Sequence, residues 1–144
     1  MLARRKLSVV MFSISLLILV AISGPAVAQR PQSLDANAKG EGTLVVGKEK
    51  FKLYAVVVKL KKGGAAEITV VSDISLFVSG EWSGGDDLSK GIDLKITGGS
   101  SAGSANGTGK LFLTADGTGI ARLTLQGVTR NSGQKYSAKF VAAQ

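Results

Sequence analysis

The chain has 144 residues, 44% of them hydrophobic, with 18 Lys and Arg against 10 Asp and Glu, and it contains neither histidine nor cysteine. Without those two residue types there is no Ser-His-Asp triad, no thiol nucleophile and no zinc site of the usual His/Cys kind. The net charge of +8 favours anionic surfaces, and any fold must be held by packing and backbone ladders, with no disulfide to help.

Arg4, Arg5 and Lys6 precede an apolar run from Val9 to Ile22 that only Ser13 and Ser15 interrupt. Gly24 and Pro25 end the run, and Ala26-Val27-Ala28 supplies a small-x-small cleavage pattern. This is the three-part layout of a secretory signal peptide, expected to be cleaved after Ala28. The run is shorter than the roughly 20 apolar residues of a membrane span. No cysteine follows it, which excludes a lipid-modified anchor, and the very apolar run favours the general export route over the twin-arginine one. Cleavage leaves 116 residues (144 less 28) and lowers the net charge from +8 to +5. That is short of a nucleic-acid-binding signature. The expected location is periplasmic or extracellular, and cysteine-free export leans toward a bacterial source.

Residues 29–39 show no periodicity and read as a flexible leader, so the single domain is expected over 40–144. Thr43 to Val46 is a first short strand. Phe51 to Leu60 is apolar on both faces, as a central or doubly covered strand would be. From Glu67 to Trp82 the even positions Ile68, Val70, Leu76, Val78 and Trp82 alternate with polar odd ones. This is either one long bent strand or two strands broken near Ser72-Asp73, and the unbroken phase, carried through Ser72 and Ile74, favours the former. Ile92 to Thr97, Lys110 to Thr114, Arg122 to Gln126 and Tyr136 to Val141 repeat the alternation.

Between these runs lie Lys62-Gly63-Gly64, Gly84-Gly85-Asp86-Asp87, Gly98-Gly99-Ser100, Asp116-Gly117 and Asn131-Ser132-Gly133, all turn chemistry. Asp116-Gly117 is a tight-hairpin signal. The expected fold is all-β, a seven- or eight-stranded antiparallel meander closed into a small barrel, with a β-sandwich as the alternative. Gly40-x-Gly42-x-Leu44-x-Val46 resembles Gly107-x-Gly109-x-Leu111-x-Leu113, too short a match in a glycine-rich chain to mark a repeat.

Two apparent nucleotide motifs fail. Ser104 to Lys110 lacks the first glycine of a phosphate loop and has Leu111 where Ser or Thr is needed, and Gly40-Glu41-Gly42 is followed by Val45 where a dinucleotide fingerprint wants glycine. Glu81, Asp86, Asp87 and Asp93 cluster around one turn, where a carboxylate-based hydrolase would need two acids across a sugar. Acids beside glycines are ordinary solvated turn residues. No calcium-ligand spacing is present, and no cofactor is expected.

Two features point to binding. Lys48, Lys50 and Lys52 share one strand parity, with Lys59, Lys61 and Lys62 farther along, and form a candidate basic stripe; edge protection is the competing use. Phe77 and Phe112 fall on the polar parity of their strands, as aromatics of a binding face do. Trp82, in Gly80-x-Trp82, resembles the G-x-W of lipocalins and of small barrel-shaped bacterial protease inhibitors over these three residues, and is read as capping one end of the core. The functional expectation is an exported, non-enzymatic binding or structural module. Lys48, Lys50, Lys52, Phe77, Trp82 and Phe112 are its candidate ligand residues, and an anionic envelope polymer or a protein is its partner. A barrel-type inhibitor of secreted proteases and, behind it, a carboxylate-based hydrolase are the alternatives.

Overall fold

A computed structural model describes residues 33–99 and 105–144. The expected signal peptide lies outside the described residues, as does most of the stretch between Ala28 and the first strand.

Eight strands form among the described residues: β1 (Leu34–Val46), β2 (Glu49–Leu60), β3 (Ala65–Val71), β4 (Ser75–Gly84), β5 (Ile92–Gly98), β6 (Ala105–Leu113), β7 (Ile120–Thr129) and β8 (Lys135–Ala142). Each pairs antiparallel with the next, and β8 returns to pair with β1, so the sheet closes into a barrel. Two sheets of a sandwich would keep free edges; closure leaves none.

Alternation along the strands fills the interior. Leu44, Leu53, Val58, Ile68, Ile92, Leu111 and Leu123 are wholly buried, with Phe140 nearly so. Each such side chain contributes about 1.5–3 kcal/mol on leaving water. The inside is therefore an apolar core, while lysines and hydroxyl residues stand outside. Membrane barrels have the opposite arrangement, with an apolar outer band and a polar lumen.

Three expectations need correction. Residues 34–39, read as leader, are the first half of β1, where Leu34, Ala36 and Ala38 pair with Leu60, Val58 and Val56. Short alanines gave the stretch too little hydrophobicity to be seen.

Second, the run from 67 to 82 is two strands. Val71 pairs with Ser75 across Ser72-Asp73-Ile74, and the Ser72 hydroxyl donates to the Ile74 carbonyl at 2.6 Å and accepts from its amide at 3.1 Å. This pairing sets even residues opposite even ones, so the even face stays inward through the turn and the phase hides the break. Ile74, expected in the core, is 43% exposed at the turn.

Third, β2 is apolar on both faces largely because its inward parity changes. Phe51 and Leu53 point in before an irregularity opposite Lys39–Gly42, and Val56, Val58 and Leu60 point in after it. Bulges of this kind bend strands and help a sheet close.

Gly40 and Gly42 lie on the closing seam, where an added Cβ would come within 2.1 Å of the Val141 and Lys139 carbonyl oxygens of β8. The two strands can approach so closely only because these residues have no side chain.

Candidate functional site

The ladder registers carry the outer face round the barrel one row at a time. One row runs Lys50 (β2), Val45 (β1), Ser137 (β8), Gln126 (β7), Thr108 (β6) and Lys95 (β5). The adjacent row runs Lys52, Thr43, Lys139, Thr124, Lys110 and Asp93 across the same strands. On the other side, Lys135 pairs with Val128, which pairs with Asn106.

Thr108, Gln126, Ser137 and Val45 floor a trough between these flanking rows. Its larger part, about 770 Å³, is bounded by Asn106, Val128 and Lys135, and a smaller part of about 290 Å³ by Lys110, Thr124 and Lys139. Side chains outside alternate with buried ones on each strand, so two short hydroxyls, one amide and one valine stand on the floor, with longer lysines on the banks.

The surroundings are predominantly cationic. Lys135 and Lys139 are exposed, as is Lys50 beyond the Val45 end. Lys110 reaches Asp93 at 3.4 Å with both side chains in contact with solvent, a pairing that costs little to exchange for another anion. Arg130, in the loop after β7, donates to the Asn106 side-chain oxygen at 3.2 Å and adds a cation at that bank.

The lysine stripe is redistributed. Lys50 and Lys52 are exposed on β2 and belong to the two rows. Lys48 occupies the two-residue turn Gly47-Lys48 and does not stand on the strand face with them. At the opposite end of β2, Lys61 pairs with Glu67 at 3.3 Å, and Lys59 lies between Asp35 and Glu67 in register. Those two lysines are offset by acidic neighbours, and Lys62 is exposed in the β2–β3 turn.

The aromatic candidates do not assemble. Phe77 is half-buried outside β4, opposite Thr69 near the β3–β4 turn. Phe112 lies at the other end of the barrel, beside Gly91, with the Arg122 guanidinium 4.0 Å from its ring centre. Trp82 is 6% exposed, and its indole N–H donates to the Lys61 carbonyl at 2.9 Å. Its backbone amide also donates to the Gly64 carbonyl. The ring therefore closes one end of the core beneath the β2–β3 turn and has no face to offer a ligand.

The acidic cluster is dispersed as well. Asp87 accepts from the Ser89 hydroxyl and amide at the start of a 3-10 turn (Leu88–Lys90), bonds that lower its pKa. Asp93 faces Lys110, and Glu81 and Asp86 are exposed without a shared site.

The chain matches no known protein family, no curated protein and no solved structure. Its own surface is therefore the guide to what the barrel does.

Lys110, Thr124, Gln126, Ser137, Lys135 and Lys139 were missed as site residues. Their polar strand parity was visible in the sequence, but which strand would lie beside which was not.

Proposed function

We propose that this chain is an exported, non-enzymatic binding module that holds an anionic polymer of the cell envelope or its surroundings in the outer trough of the barrel. The observation that carries the reading is the register that joins Lys52 through Thr43 to Lys139, and through Thr124 to Lys110. It unites lysines from three non-adjacent strands on one face beside a floor of hydrogen-bonding groups. A packed interior leaves the outside of the wall as the place for recognition. Export is supported by the signal-peptide layout of residues 1–28.

Several lysines that contact one polyanion add attraction that fades as the Debye length falls from about 10 Å at 0.1 M salt to about 3 Å at 1 M. The test replaces Lys50, Lys52 and Lys139 together by Glu and measures co-sedimentation with isolated cell envelopes. Binding is expected to fall at least about tenfold, a loss of about 1.4 kcal/mol or more. Circular dichroism should stay unchanged, and salt should weaken the parent protein in the same way. Binding indifferent to both salt and the triple substitution overturns the proposal.

A further inference from the structure

We infer that the polymer is a linear acidic polysaccharide bearing carboxylates, lying across the strands with its hydroxyl groups on the trough floor. The inference rests on the polyanion reading and adds the chemical class.

The floor argues for a polyol. Thr108 and Ser137 each offer a hydroxyl that both donates and accepts, and Gln126 offers an amide that does the same. Phosphate oxygens only accept, so a polyphosphate would leave half of that capacity unused. Sugar hydroxyls use all of it. Val45 and Val128 add apolar surface, and Val128 is 41% exposed. Such spots suit the C–H faces of a pyranose, whereas single-stranded nucleic acid is usually held by stacking aromatics. Neither Phe112 nor Trp82 reaches the trough.

The spacing agrees. Successive floor residues belong to adjacent strands, about 4.8 Å apart, close to the advance of one sugar in an extended chain. On one bank Lys110 and Lys139 stand two strands apart, at about 10 Å, with Thr124 between them. An extended chain with a twofold twist turns alternate carboxylates to opposite sides, so one bank meets a carboxylate once every second sugar. Lysine, threonine, lysine along the bank matches that period. On the other bank Val128 stands opposite Thr124, with Lys135 on β8 to one side of it and the Arg130 guanidinium at Asn106 on β6 to the other, cations flanking the intervening carboxylate.

The experiment compares polygalacturonate, the same polymer fully methyl-esterified, linear polyphosphate and phosphatidylglycerol vesicles at 50 mM salt. Each is titrated against the parent protein, Thr108→Val/Gln126→Leu, and Lys110→Glu/Lys139→Glu. Polygalacturonate should bind best and lose most of its affinity on esterification. The floor variant keeps every charge and should weaken polygalacturonate about tenfold through two lost hydrogen bonds, but polyphosphate less than about twofold.

If polyphosphate or vesicles bind as well as polygalacturonate and depend on Lys110 and Lys139, the polysaccharide inference falls and the polyanion reading stands. The polysaccharide inference falls likewise if the floor variant leaves polygalacturonate unchanged or weakens all the anions alike. If no polyanion binds, both fall.

Discussion

Tyr136 shows how single residues set the shape of the trough wall. Its side chain is 2% exposed, and its hydroxyl points toward the Asn106 carbonyl at 3.5 Å. A Cβ on Gly107 or Gly127 would sit 2.6 Å from that hydroxyl, so the two glycines make the room for it. Burial raises the phenol pKa above its ordinary value of 10.0. An unfolded chain ionises this tyrosine more readily than the folded one. The stabilisation is therefore complete below pH 10 and is lost as pH rises through the higher folded-state value. Tyr136→Phe should show a shallower fall in melting temperature between pH 9 and 11 than the parent. Parallel falls would mean that burial of the phenol does not contribute. The sequence showed Tyr136 on an inward parity but carried no sign that two glycines from neighbouring strands would frame its hydroxyl.

At the scale of strands, alternation made most of the fold legible. The even face of β3 and β4 is buried as expected at Ile68, Val70, Leu76, Val78 and Trp82. Leu76→Ala should cost about 2–5 kcal/mol, and Ser75→Ala, one position away but exposed, should stay within about 0.5 kcal/mol of the parent in urea unfolding. Equal costs would contradict the two-faced strand. Turns were harder to read than faces. The Asp116-Gly117 signal marks a hairpin, but its loop is longer than a two-residue turn. Thr114 and Gly119 close it, and Asp116 accepts from the Thr118 amide at 3.1 Å. The likeness between the Gly40 and Gly107 segments has a local cause: in both strands glycines stand on the inward parity ahead of an inward leucine, where neighbouring backbone comes close. The change of inward parity along β2, opposite the extra residue of β1 between Lys39 and Gly42, left no mark in the sequence of β2, because valine and alanine suit either side of a sheet.

For the whole molecule, the proposed binding face is a property of closure. Lys52 and Lys139 are far apart in the chain, and no local pattern predicts that Thr43 will stand between them. The expected cleavage site is compatible with this architecture, since the described ladder begins at Leu34, beyond Ala28. Protein recovered from an exporting host should have the intact mass of a chain beginning at Gln29. Soluble full-length precursor as the main product would overturn the export reading.

The β1–β8 seam also governs when the molecule can be finished. The eight residues of β8 hold β1 on one side and β7 on the other. They act as a latch supplied by the last strand of the ring. Until it arrives, both neighbouring strands keep an open flank, and the ring has no complete core to bury. Contacts spanning nearly the whole domain form slowly compared with local ones. Export of the chain in unfolded form, as proposed above, would be helped by that timing, because the barrel cannot close until β8 has crossed.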